Sequence, residues 1–181
     1  FDGQRGQQAP TDVSLPQAMD GHAILMRLPQ GNGTFRLDQG SANTGSLRSD
    51  IGQVTDLSSL TGHHYRVDFA EVAGVMQYSV TDLTTASPVA GQTAVPYTTG
   101  MQVDFDGMSF QLSGAPRAGD KLDIAPADTP TDLFKVMQDA IDALSTPTTA
   151  PGDTARRIQD VGRSLTELDA GHDRVLLARA Q

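Results

Sequence analysis

The 181-residue sequence contains no cysteine and no tryptophan, and its aromatic residues amount to only 5%. Without cysteine there is no disulfide bracing, no thiolate chemistry and no cysteine-ligated metal centre. Positive charge is scarce as well: 13 Lys and Arg face 22 Asp and Glu, for a net charge of -9. Those few cations are scattered along the chain, so no basic patch is available to neutralise phosphates. Nucleic acid and anionic membrane surfaces are therefore not expected as partners. No apolar run approaches the roughly 20 residues that cross a bilayer, and Phe1-Asp2-Gly3-Gln4 has none of the basic and apolar segments of a cleaved leader.

Constellations of catalytic residues are also missing. Carboxylates are plentiful (Asp104, Asp106, Asp120, Asp123, Asp139 and Asp142), but glycosidic chemistry needs two of them across a cleft lined by aromatics, which a chain without Trp can hardly build. A solvated acidic surface is the simpler reading. Ser109 and Ser113 lack the G-x-S-x-G elbow of a serine hydrolase. His63 and His64 are adjacent, and neighbours on a strand point to opposite faces, so the two reach one metal only from an irregular turn. "GNGTF" (Gly31 to Phe35) lacks the third glycine and helix start of a phosphate cradle and reads as a turn. The expectation is a protein without enzymatic activity, cofactor or metal site.

What the chain does contain is patterned apolar sequence: 38% of its residues are hydrophobic, enough for a real core. "AILMRLP" (Ala23 to Pro29) reads as a short strand. "YRVDF" (Tyr65 to Phe69), "MQYSVTD" (Met76 to Asp82), "MQVDF" (Met101 to Phe105), "MSFQL" (Met108 to Leu112) and "KLDI" (Lys121 to Ile124) alternate apolar and polar with period 2. Asp106-Gly107 is a two-residue hairpin signal, and Gly114, Pro116, Gly119 and Asp120 read as turn chemistry between two strands. Short strands with short links argue for an antiparallel sandwich or partly closed barrel.

The pattern changes at Thr129. Thr129-Pro130-Thr131-Asp132 offers a capping hydroxyl, a proline and an acid, and Leu133, Met137, Ala140 and Leu144 follow at helical spacing. "STPTTAPGD" (Ser145 to Asp153) stops that helix, and Asp153 can cap a second that runs to the end. In the second helix Ile158, Val161, Leu165, Leu168, His172, Val175 and Arg179 recur at intervals of 3 and 4. Such a stripe is built to lie along another helix. Either it crosses the first helix in a compact domain, or its partner lies outside the sequence; the pattern still running at Gln181, and the non-Met start, favour the expectation of a fragment lacking terminal helices.

"FDGMSFQLSGAPRAGDKLDIAP" (Phe105 to Pro126) resembles the strand, G-x-P-x-x-G-D loop and strand of bacterial flagellar hook-associated proteins. "LMRLPQGNGTF" (Leu25 to Phe35), "TGHHYRVDF" (Thr61 to Phe69) and "VLLARAQ" (Val175 to Gln181) are similar, in the same order, to segments of the hook–filament junction members of that flagellin-related family. The resemblance does not extend to Gln39 to Ser59.

The resemblance implies an axial structural protein of the extracellular flagellum, exported through the flagellar type III channel and joining hook to filament. Its partners would be the hook-side junction protein, flagellin, copies of itself and an export chaperone. The expected fold is α+β: a projecting antiparallel β domain over 34–128, on a helical stalk built from 1–33 and 129–181 with helices near 131–145 and 154–181. Ile158, Val161, Leu165, Leu168 and Val175 would be its helix-packing interface, and the chain alone would be monomeric or weakly associating. Two other readings remain: the first hook-associated protein or a flagellin variant, and, from a different class, an adhesin or carbohydrate-binding β domain on a stalk, with Tyr65, Tyr78 and Tyr97 as sugar-stacking candidates.

Overall fold

The computed structural model describes residues 6–8, 14–16, 21–127 and 130–179. The elements run β1 (Gly6–Gln8), β2 (Ser14–Pro16), α1 (Gly21–Leu25), β3 (Phe35–Gln39), β4 (Arg48–Ser49), β5 (Gln53–Val54), β6 (Tyr65–Val72), β7 (Val75–Asp82), β8 (Ser87–Pro88) and β9 (Val95–Pro96). They continue with β10 (Met101–Phe105), β11 (Met108–Ser113), β12 (Lys121–Pro126), α2 (Leu133–Ser145) and α3 (Pro151–Arg179). The fold is α+β with antiparallel pairing throughout. One sheet has the order β3-β12-β6-β7-β8, with β9 on β7; a second has β10-β11-β4, with β5 on β11. They are separate sheets and do not close into a barrel.

Alternation does what it should in the long strands. Tyr65, Val67 and Phe69 of β6, Tyr78 and Val80 of β7, and Leu122 and Ile124 of β12 are buried from one sheet; Val103, Phe105, Phe110 and Leu112 are buried from the other. All belong to one apolar cluster between the two sheets. Aromatic edges cross the gap, with Tyr65 and Phe105 centroids 5.0 Å apart and Phe105 and Phe110 6.1 Å apart, both in edge-to-face geometry. The β10–β11 hairpin turns on Asp106 and Gly107, with φ of 45° and 74°. Positive φ at both central positions is the primed turn that suits the twist of a hairpin.

The Asp120 carboxylate ties the loops at one end of the sandwich. Only 2% exposed, it accepts hydrogen bonds from Thr44 N at 2.9 Å, Gly45 N at 3.0 Å and Arg117 N at 2.8 Å. Beside it, Asn43 exchanges two bonds with the Lys121 backbone, at 2.7 and 2.8 Å. The loop after β3 is thus clamped to the loop between β11 and β12. The same loop receives α3, because a Cβ on Gly152 would lie 2.2 Å from Asn43 O, so only glycine lets helix and loop approach this closely.

Elsewhere along the sandwich, Asp82 closes the turn after β7. It accepts Thr84 N at 2.8 Å, Thr85 N at 3.2 Å and His63 Nδ1 at 2.8 Å. Burial works to raise this carboxyl, but the hydrogen bonds from Thr85, His63 and Thr84 outweigh it and hold it at about 2.

The helical region departs from the sequence expectations in three places. "AILMRLP" is not a strand: residues 21–25 are helical, with Met26 N donating to His22 O at 2.9 Å, and Leu28 pairs with Thr131 through bonds of 2.7 and 2.9 Å. A contiguous apolar run carries no period with which to tell helix from strand. Thr131 is spent on that pairing, so α2 starts later than expected, with Asp132 as its N-cap accepting Lys135 N at 2.7 Å; Thr129 lies outside the described residues. Asp153 does not precede α3 but sits in its first turn and reaches back to Ala150 N at 3.1 Å and Thr149 N at 3.2 Å. Its carboxyl is held below the usual range, chiefly by the hydrogen bonds from the Thr149 and Ala150 peptide N–H groups.

Two outcomes are expected from these contacts. Asp120→Ala strands up to three buried or half-buried peptide N–H groups, and should cost roughly 2 to 4 kcal/mol in urea unfolding at neutral pH. Because Asp82 is depressed in the folded state, its contribution is complete above the ordinary carboxyl value of 3.8 and lost as pH falls toward about 2. Asp82→Asn should therefore flatten the fall in melting temperature across that window, and an unchanged acid limb would contradict the assignment.

Candidate functional site

The distinctive feature of the described residues is helix α3, which presents two different faces. Along its first half a polar face covers the open edges of both sheets. Gln159 is central: its Nε2 donates to Leu37 O of β3 at 3.0 Å, while its Oε1 accepts Ser49 N of β4 at 3.1 Å and Gln39 Nε2 at 2.9 Å. Arg156 reaches Ser41 O at 2.8 Å, and Arg163 bridges Asp38 of β3 and Asp160 of its own helix. Further on, the buried Glu167 accepts Gly31 N at 2.9 Å. Strands β3 and β4 end their respective sheets, so α3 satisfies edge groups that would otherwise invite pairing with another chain.

Small residues of α3 are buried as well. Ala155, Ser164, Gly171 and Ala178 are buried, and Leu28 and Leu133 pack onto Gly171. From α2 the buried side chain is Val136, whereas Met137 and Leu144, expected on the inward stripe, are exposed. The heptad residues of α3 are likewise not used here: Ile158 is 49% and Leu165 57% exposed, and Val161, Leu168 and Val175 are half-buried. His172 is exposed. On α2, Phe134 at 63% and Ile141 at 53% extend the uncovered apolar surface. A protein with this composition rarely leaves several large apolar side chains in line without a covering partner.

The other residues singled out in the sequence have structural contacts. His63 is engaged by Asp82 and His64 N by Thr84 Oγ1, and the described residues include no group of three or more metal-ligand side chains. Tyr65 and Tyr78 are core residues and Tyr97 packs against the core. Their hydroxyls donate to Asp106 at 2.6 Å, Gln92 at 2.7 Å and Gly114 O at 2.8 Å. Burial, with Asp106 beside it, pushes the Tyr65 hydroxyl up to about 12. None of the three presents an open ring to a sugar. Asp123 holds Arg66 at 2.7 Å, and Asp139 pairs with Lys135 at 2.9 Å. A groove of about 410 Å³ lies between α3 and β4, walled by Leu37, Ile51, Ile158, Arg48, Gln111 and Thr166. Its acid, Asp50, accepts Gln111 N and Gly52 N. Gln159 and Glu167 went unnoticed in the sequence, because a polar residue on a helix face announces neither burial nor partner.

Comparison with known proteins gives the geometry its context. Residues 39–126 match the family model described as flagellar hook-associated protein 1, D2-like domain. Comparison with curated proteins finds no match. The flagellar junction protein FlgL from Legionella pneumophila is similar in structure, with TM-score 0.88 and 27% identity over 99% of this chain and 57% of that one. A flagellar hook-associated protein-3 structure from the same organism gives TM-score 0.88 and 27% identity over 99% of this chain and 56% of that one. FlgL from Xanthomonas campestris gives 0.84 and 25%, with shares of 99% and 57%. This chain thus spans little more than half the length of those proteins. The β region is thus similar to the D2-like domain of hook-associated protein 1, and the chain as a whole is similar in structure to part of FlgL.

Proposed function

We propose that the chain is the central and returning part of a hook–filament junction protein, an axial component of the extracellular flagellum with no catalytic role. In this reading residues 34–128 form a β domain, and 1–33 with 129–181 belong to a helical stalk. Partners are the hook-side junction protein, flagellin and neighbouring copies of the chain, reached after export by the flagellar type III route. The observation that carries the reading is the match to FlgL structures over 99% of the chain. The uncovered stripes supply the physics: Ile158 and Leu165 on α3, continued by Val161, Leu168 and Val175, are where a further helix of an axial bundle would pack.

A second reading has its own support. The family model over 39–126 is that of hook-associated protein 1, so the β region alone is equally compatible with the neighbouring junction protein. The agreement of both helices and the β region with FlgL in a single superposition favours the filament-side position.

The test exploits the exposure of the stripe. In the isolated chain, Ile158→Asp with Leu165→Asp replaces two solvent-facing side chains and should change stability by no more than about 0.5 kcal/mol each. In the cell the same pair should prevent filament attachment, with flagellin shed into the medium, because carboxylates buried in a helix bundle cost several kcal/mol. Normal filaments in cells that export the folded double variant would overturn the proposal.

A further inference from the structure

Asparagine is rare in this chain: Asn32 and Asn43 are the only two, and Asn32 alone is followed by glycine. That pairing has a chemistry of its own. Glycine carries no side chain to obstruct its peptide nitrogen, and its backbone bends freely toward ring closure. Once the Gly33 nitrogen has given its proton to a base in solvent, it can attack Cγ of Asn32. The new C–N bond closes a cyclic imide, the Cγ–Nδ2 bond breaks, and Nδ2 leaves as ammonia after taking a proton from water. A water molecule then opens the imide at one carbonyl or the other, giving aspartate or isoaspartate.

The fold engages each atom of that reaction elsewhere. Asn32 Oδ1 accepts Thr34 N at 3.0 Å and Phe35 N at 2.9 Å, while Nδ2 donates to Gly52 O at 3.1 Å. The nucleophile is occupied too, since Gly33 N donates to Gln30 O at 2.8 Å. The turn around them is pinned from both sides, by Asn32 N on Phe35 O at 3.2 Å and by Gly31 N on Glu167 at 2.9 Å. Closing the imide ring swings the side-chain amide onto Gly33 N, so these bonds must open first. Gly33 itself is exposed. What the folded turn withholds is therefore geometry, not water.

The bond to Gly52 is the one that the products cannot remake. It joins the turn entering β3 to the bend between β4 and β5, and so ties one sheet to the other at the start of β3, as Asp120 clamps the loop at its end. The bend is fixed in place: Gly52 N donates to Asp50 at 3.1 Å, and a Cβ on Gly52 would lie 2.7 Å from the Phe35 ring. Aspartate at 32 would put a carboxylate oxygen where Nδ2 now donates, so that two acceptors oppose each other. Isoaspartate would in addition lead the main chain through the former side chain and lengthen the turn by a methylene.

We propose that Asn32-Gly33 is a fold-gated modification site: the unfolded chain deamidates at Asn32, the folded turn prevents it, and the products lose the tie to Gly52. A chain that waits unfolded is thereby marked and weakened.

The chain is incubated folded at pH 8 and 37 °C beside a synthetic peptide of residues 29–36, and conversion of Asn32 is followed by mass spectrometry with isoaspartate detection. Conversion in the folded chain should be slower by about tenfold or more, because it waits on local opening of the turn. In the chain unfolded in guanidinium, Asn32 should convert ahead of Asn43, whose follower Thr44 is β-branched. Asn32→Asp, which reproduces one product, should lower the melting temperature by about 2 to 4 °C or more. Asn32 converting as fast in the folded chain as in the peptide, no faster than Asn43 in guanidinium, or an Asn32→Asp chain melting with the parent, would overturn the proposal. A variant that fails to fold supports the loss of the tie, and the two wild-type rates still decide the gating.

Discussion

Three peptide N–H groups converging on the Asp120 carboxylate make the rest of the molecule possible. Two come from the loop after β3 and one from the loop that follows β11. A buried carboxylate without donors would be costly, and a loop with buried, unpaired N–H groups equally so. Together they cancel each other's cost and fix the spatial relation of both sheets at one end. Everything α3 does depends on that relation, because Asn43 of the clamped loop forms the surface on which Gly152 rests.

From there α3 acts as a hinge plate. Its polar face satisfies edge groups of β3 and β4 through Gln159 and holds Asp38 and the loop after β3 through two arginines, Gly171 admits Leu28 and Leu133, and several large apolar side chains are left to solvent. This division of labour suits a part that must be rigid toward its own β sheets and adhesive toward something else. A catalytic cleft would concentrate unpaired, convergent groups; here the candidate acids and tyrosines have partners that explain them.

Much of the β architecture was legible from periodicity. Tyr65 to Phe69, Met76 to Asp82, Met101 to Phe105, Met108 to Leu112 and Lys121 to Ile124 are strands with the faces their alternation implies. The region from Gln39 to Ser59 was opaque because its strands, β4 and β5, are two residues each and are held by β11 and by Gln159, not by any pattern of their own. Ala23 to Pro29 was misread because four apolar residues in a row satisfy strand and helix alike.

By itself, the sequence determined what local chemistry controls: pleated faces, the Asp106-Gly107 turn, the two helices and the absence of cysteine chemistry. Those depend on neighbours within a few positions, and such couplings are written in spacing. The tertiary structure alone decided which helix face is used. The heptad stripe of α3 advertises the strongest packing surface, yet the fold buries Ala155, Ser164, Glu167 and Gly171 instead. The reason is steric and polar: the clamped loop approaches Gly152 too closely for any side chain, and the edges of β3 and β4 require hydrogen-bonding partners that Leu or Ile cannot supply.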